Sequence, residues 1–150
     1  KKIQHSGPLK ESLRKECELR NIDFHVPERN VATRWNLTVM MMNSISSLRN
    51  AIDGLCDSKA KLRKYKLMSL EWTIIDQLRP VLNGFLDATK MISESNTSLV
   101  SEVIPLIDSL HAWLKEVAAT GTNHKTVHHA AQRGIATLNK YYSLTNESYI

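Results

Sequence analysis

Apolar residues recur at intervals of three and four along most of this chain, a spacing that places side chains on one face of an α-helix. The longest such run is Thr38, Met41, Ile45, Leu48, Ile52 and Leu55. Only five glycines and four prolines interrupt the 150 residues. The sequence therefore predicts an all-α protein, an antiparallel bundle of about four to five helices joined by short connections.

The same spacing gives approximate helix bounds. The predicted helices cover residues 8–20, 33–56, 69–92, 103–117 and 124–142. Pro80 falls inside the third helix and should kink or split it, because proline lacks the backbone N–H that a helix interior uses. Ile22, Phe24 and Val26 alternate with polar residues, a pattern that allows a short strand near residues 22–26.

Charge and cysteine content restrict the function less than the fold. Lysine and arginine number 20 against 15 aspartates and glutamates, a net charge of +5 that permits contact with nucleic-acid phosphates without establishing it. Cys17 and Cys56 are too few for a disulfide scaffold, so we expect free thiols in a reducing compartment. The chain lacks an apolar run long enough to cross a bilayer and opens on Lys1-Lys2, so we expect neither a membrane span nor a secretory signal. Since it does not begin with Met, we expect it to be a piece of a longer protein.

Two features suit nucleic-acid contact. A basic connector within residues 58–68 carries Lys59, Lys61, Arg63, Lys64 and Lys66. These cations could contact phosphates, or simply face solvent. Trp35 follows Arg34 at a helix start, where an aromatic ring can stack on a base while the guanidinium holds a phosphate. The alternative is that Trp35 closes the core and Arg34 caps the helix or forms an ion pair.

Residues suited to metal or catalytic chemistry are few. His124 and His128 lie four apart, as two zinc ligands on one helix face would, and His129 is adjacent. A third and fourth ligand are missing nearby, so an exposed helix start is the alternative. The carboxylates, Asp76 and Asp87 among them, form no pair that their spacing singles out. We therefore predict no catalytic residue and no metal ligand in this chain.

The run Thr33-Arg34-Trp35-Asn36, followed by a Met-rich helix, resembles the "TRWNST…ML" run of hAT-type DNA transposases. Leu37 replaces the common serine of that family, whereas Thr38 keeps the hydroxyl that follows. Further stretches fit the family's order: Leu48-Arg49-Asn50-Ala51-Ile52, Trp72, Leu78-Arg79-Pro80, Ala88-Thr89, Ser93 and residues 101–110. The resemblance covers nearly the whole chain, and order and spacing together are more specific than any single motif.

This resemblance implies a ribonuclease-H-like catalytic core, elsewhere in the protein, with an Asp-Asp-Glu triad that binds two divalent metals, Mg²⁺ or Mn²⁺. A helical domain is inserted between the second Asp and the Glu. Residues 1–30 would then border the core, and residues 31–150 would form the helical insertion domain. Because the triad cannot be placed here, we expect this chain alone not to be an enzyme and to hold no cofactor, whereas the parent would be a metal-dependent transposase of the nucleus.

The resemblance also implies roles for individual residues. In the family, the tryptophan of this run handles a flipped base near the cut transposon end, with the arginine beside it, which points to Trp35 and Arg34. The full set expected to bind DNA is Arg34, Trp35, Lys59, Lys61, Arg63 and Lys64. Expected partners are transposon-end DNA, the rest of the transposase, and a second copy bound through regions outside this chain, but no membrane. The alternative is a domesticated helical protein-interaction module with no role on DNA.

Overall fold

A computed structural model describes residues 2–31, 34–94 and 100–147. In these ranges the chain is all-α, as predicted, with six α-helices and no strand. The helices are α1 (Gly7–Leu19), α2 (Trp35–Ser47), α3 (Arg49–Ser58), α4 (Ser69–Glu94), α5 (Val100–Ala119) and α6 (Lys125–Glu147). Short 3₁₀ turns lie at Ile3–His5 and Arg63–Tyr65. None of the described helices is both long and apolar enough to span a membrane. The chain divides into two compact units, Lys1–Arg79 and Pro80–Ile150.

The predicted strand near residues 22–26 is wrong. These residues have no regular secondary structure, and the described part of the chain offers no second strand to pair with them. Ile22 and Phe24 instead pack against the helical core of the first unit, and the Arg14 guanidinium lies 4.4 Å from the centre of the Phe24 ring. The alternation therefore reflects an irregular segment that packs Ile22 and Phe24 against helices, and a half-buried strand would give the same pattern.

The single helix predicted over residues 33–56 is also wrong, because α2 ends at Ser47 and α3 begins at Arg49. Leu48 lies between them with φ −94° and ψ 6°. The Ser47 hydroxyl donates to the Ser44 carbonyl at 2.8 Å, a local side-chain bond of the kind that competes with regular helix. The apolar stripe continues across this break, so spacing alone does not reveal it.

The first unit has a core built by α1, α3 and the connector after α3. Its buried residues are Leu13, Cys17, Leu48, Ala51, Leu55, Cys56 and Leu62. Both cysteines are free thiols, as predicted, and burial raises the pKa of each. The Ser6 hydroxyl accepts from the Leu9 N–H at 3.4 Å and caps α1. Residues before position 30 thus share a core with residues after it, and the predicted border at residue 30 stays a prediction about a longer protein.

The second unit contains a helical hairpin of α5 and α6, which pack on each other. Its core joins Val81 of α4 to Leu114 and Ala131. The hairpin turn is held by the His128 Nδ1 atom, which lies 2.7 Å from the Ala118 carbonyl, and by the Asn123 amide, which donates to the Val117 carbonyl at 3.0 Å. The helices predicted over 103–117 and 124–142 are confirmed by α5 and α6.

Pro80 lies inside α4, which continues unbroken from Ser69 to Glu94. The alternative that Pro80 splits the helix is therefore wrong. The helix loses one backbone hydrogen bond at this position, because proline has no N–H to donate. The division between the two compact units falls directly before Pro80.

Gly84 of α4 lies against the ring of Trp113, and a Cβ at this position would overlap the ring. We expect Gly84→Ala to lower the free energy of unfolding by up to about 2 kcal/mol, since displacing packed groups costs about 1–3 kcal/mol and the better helix propensity of alanine returns about 1 kcal/mol. In a Trp113→Leu background the same change should become neutral or stabilising. Urea denaturation followed by circular dichroism measures the effect of Gly84→Ala on the free energy of unfolding in both backgrounds. Equal effects in the two backgrounds would show that the ring contact is not the cause.

Candidate nucleic-acid interface

Arg34 and Trp35 lie where the chain enters α2. Arg34 occupies the N-cap position in an extended conformation, with φ −128° and ψ 90°, and its side chain does not cap the helix. It is exposed and forms no ion pair in the described part of the chain. Trp35 is the first residue of α2 and is 43% exposed. Trp35 thus does not close the core, a role that Trp72, 1% exposed, takes in this unit.

The backbone around this pair is anchored on both sides. The Arg34 N–H donates to the Val31 carbonyl at 2.9 Å, and the Thr38 hydroxyl donates to the Asn30 side-chain oxygen at 2.9 Å. These bonds tie the incoming loop to the first turn of α2. Thr33 of the predicted motif lies outside the described residues. These hydrogen bonds hold the start of α2 while the Trp35 ring stays accessible, which suits a stacking surface.

In the basic connector between α3 and α4, one cation has an ion-pair partner and four have none in the described part of the chain. The Lys66 ammonium lies 2.6 and 2.7 Å from the two Asp57 carboxylate oxygens, and this hydrogen bonding raises the pKa of Lys66. The other cations form no ion pair among the described residues, and they are Lys59, Lys61, Arg63 and Lys64. Lys59 is half-buried and the other three are exposed. The four connector cations in the expected DNA-binding set are thus those without a carboxylate partner among the described residues.

Tyr65, at the end of the second 3₁₀ turn, is an aromatic residue that the sequence interpretation missed. It is 49% exposed, with the Lys2 and Lys64 ammonium groups 4.7 Å and 5.3 Å from its ring centre. A hydrogen bond with Lys2, together with the positive charge of both lysines, lowers the pKa of Tyr65. An aromatic residue inside a run of lysines is the sequence signal that could have identified it.

The structure does not bring the two predicted DNA-contact regions into contact in the described part of the chain. The turn Arg63–Tyr65 contacts α3, and α3 contacts α2, but within the described residues the turn does not contact α2. Arg34 and Trp35 therefore form one candidate surface, and the connector forms another on the same unit. A duplex or hairpin would have to extend from one surface to the other.

The first unit also contains an apolar cavity of about 410 Å³ that the sequence did not predict. Met41, Ile45 and Ile52, which the sequence assigned to a core-facing stripe, line this cavity and are only half-buried. The fully buried positions of α2 are Val39, Met42 and Ser44. Val39 and Met42 each follow a predicted position by one residue, so the buried face of α2 is shifted from the predicted face, whereas Leu48 and Leu55 of the same stripe are buried as predicted.

His124, His128, Asp76 and Asp87 have local partners in the described part of the chain. In the described part of the chain, no group of three or more His, Cys, Asp or Glu side chains could hold a metal ion. His124 accepts a hydrogen bond from the Thr126 N–H at 3.2 Å, and His128 is bonded to the Ala118 carbonyl. The Asp76 carboxylate lies 3.1 Å from the Arg49 guanidinium, and Asp87 lies 3.8 Å from the Lys90 ammonium. Each of these contacts is local, and the prediction that the chain contains no catalytic residue stays a prediction.

Comparison with known proteins gives a distant relative. A protein of Talaromyces stipitatus named "Putative transcriptional regulator tpeD" is 26% identical to this chain over 91 residues, which are 61% of the chain. The matched stretch is 11% of that protein's length. No family model and no solved structure matches the chain. At this identity and coverage the relative does not assign the chain to a family, and the resemblance to hAT-type transposases stays a prediction.

Proposed function

We propose that the first unit binds DNA, and that the chain is a piece of a hAT-type transposase or of a host protein descended from one. The observation that carries the proposal is the exposure of Trp35, 43%, directly after an Arg34 side chain that no described carboxylate neutralises. An exposed tryptophan beside a free guanidinium provides a flat apolar surface and an anion contact at one place. Distorted or single-stranded DNA ends present an unstacked base beside a phosphate, which this pair complements.

The unneutralised cations of the connector support the same proposal. Each cation that contacts a phosphate releases condensed counterions, so affinity gains a term that weakens as salt increases. Lys61, Arg63 and Lys64 are exposed and have no carboxylate partner in the described ranges, so their charge remains available. The relative's name, a transcriptional regulator, agrees with a DNA partner and a nuclear location. Strand cleavage with Mg²⁺ or Mn²⁺ would belong to residues outside this chain.

We expect Trp35→Ala to weaken binding of a DNA hairpin by roughly 10- to 100-fold, since one base–aromatic stack contributes about 1–3 kcal/mol. Binding of an intact duplex should change much less, because duplex bases are already stacked on each other. Fluorescence anisotropy with labelled hairpin and duplex gives both affinities. Trp35→Phe should retain part of the preference. Tyr141→Ala is the matched control, because Tyr141 is a 62% exposed aromatic residue of the second unit.

Removing connector cations should change the salt dependence of DNA binding. We expect each of Lys61→Ala and Arg63→Ala to reduce the slope of log affinity against log salt by about 0.9 for duplex DNA. Arg133→Ala, an exposed cation of the second unit, should leave the slope unchanged. Lack of DNA binding even at low salt would refute the proposal and favour the protein-interaction module instead.

A further inference from the structure

We propose that the apolar cavity of the first unit binds an amphipathic segment of a partner protein, with apolar side chains inserted in the cavity and carboxylates against the basic connector. This site is distinct from the surface of Arg34 and Trp35, and neither residue lines the cavity. The inference rests on the shape of the cavity, on its apolar lining and on the charges at its edge.

The cavity is formed almost entirely by apolar side chains from separate segments of the first unit. Its apolar lining residues are Ile3, Pro27, Met41, Ile45, Ile52, Leu55, Cys56, Leu62, Leu67 and Trp72. Its volume of about 410 Å³ is within the usual range for ligand-binding pockets, about 300–1,000 Å³. Water in such a space makes few hydrogen bonds, so displacing it with apolar side chains is favourable. The neighbouring Met68, 72% exposed, adds apolar surface directly after Leu67.

Part of the cavity wall comes from the basic connector, whose cations alternate in sequence with the residues that line the cavity. Leu62, Tyr65 and Leu67 line the cavity, and the connector residues between and before them include the unneutralised Lys61, Arg63 and Lys64. Lys2 also lines the cavity, and its ammonium lies over the Tyr65 ring. Glu28 is the one acidic residue among the lining side chains of the described chain. An occupant with carboxylates on the connector side is therefore complementary in charge.

A protein segment fits these observations better than other occupants. Nucleic acid could use the cations, but its charged backbone would lose hydration in an apolar cavity without compensation. A second copy of this chain carries a net charge of +5 and would meet like charge at the connector. An amphipathic helix presents apolar residues at i, i+3, i+4 and i+7 and keeps its acidic residues at the edge, which satisfies both the cavity and the connector.

The test is a selection of random 12-residue displayed peptides on the full chain, followed by anisotropy measurements with the most enriched peptide. We expect enriched sequences to combine Leu, Ile, Phe or Trp at helical spacing with Asp or Glu. Leu67→Glu should weaken binding on the order of tenfold or more, because it places a charge against apolar side chains. Leu70→Glu is the matched control, since Leu70 is 55% exposed and does not line the cavity.

Trp35→Ala tests whether this site is independent of the surface of Arg34 and Trp35, and Lys64→Ala tests whether peptide binding uses a connector cation. Trp35→Ala should leave peptide affinity unchanged, whereas Lys64→Ala should reduce the affinity and its salt dependence. If circular dichroism shows that Leu67→Glu is unfolded, Met41→Gln tests another lining residue of the same cavity. The proposal is overturned if selection enriches no peptide or only basic peptides, or if Leu67→Glu and Met41→Gln, when folded, bind as tightly as the parent chain.

Discussion

Trp72→Ala is expected to lower the free energy of unfolding of the first unit by about 3–5 kcal/mol, the usual cost of truncating a fully buried tryptophan. The side chain is 1% exposed. The Arg49 guanidinium lies 4.8 Å from its ring centre and is held by the Asp76 carboxylate at 3.1 Å. Removing the ring would also enlarge a cavity that already exists, because Trp72 forms part of its wall. Collapse of the surrounding side chains would then compensate for little of the loss.

Urea denaturation followed by circular dichroism measures this change. Trp35→Ala is the matched control, and we expect it to lower stability by less than Trp72→Ala does, because Trp35 is 43% exposed and has less buried surface to lose. Trp72→Phe should cost less than Trp72→Ala. The buried Trp72 Nε1 atom has no hydrogen-bond partner in the described part of the chain, so phenylalanine removes a polar atom without orphaning another. Similar losses for Trp35→Ala and Trp72→Ala would contradict the assigned burial of the two rings.

These two tryptophans show what the sequence could and could not predict. Helical spacing predicted the all-α class and the approximate positions of α1, α5 and α6, because a single helix face determines the spacing of apolar residues. Spacing did not predict which tryptophan is buried, since burial depends on what other segments place over each ring. The same limit applies to Met41 and Ile45, whose regular spacing predicted a core contact and whose side chains border a cavity.

The candidate site depended on tertiary contacts in a similar way. Lys66 is indistinguishable from Lys64 in the sequence, but a turn of the connector brings it against Asp57, nine positions earlier. Tyr65 acquires its position between two ammonium groups only because the first residues of the chain lie beside the connector. The sequence shows which residue types form a basic surface. It does not show which of them form ion pairs, and this pairing decides which charges remain available.

Leu114→Ala should lower the free energy of unfolding of the second unit by about 2–5 kcal/mol, the range for truncating a buried leucine. Leu114 is 1% exposed, lies at the centre of the core with Val81 and Ala131, and approaches Gly134 of α6 so closely that a Cβ there would be 3.0 Å from Leu114 Cδ1. The leucine thus fills the space that the glycine leaves between α5 and α6.

The matched control is Ile104→Ala, which removes an aliphatic side chain of the same helix that is 46% exposed. It should cost less than Leu114→Ala, because nearly half of the Ile104 surface already contacts water in the folded state, whereas Leu114 is fully buried. Gly134→Ala should partly restore stability in the Leu114→Ala background, since the added methyl occupies part of the vacated space. Urea denaturation of the parent chain, Leu114→Ala, Gly134→Ala and the double variant gives the coupling energy between positions 114 and 134. Additive effects at positions 114 and 134 would mean that the leucine does not fill the space over the glycine.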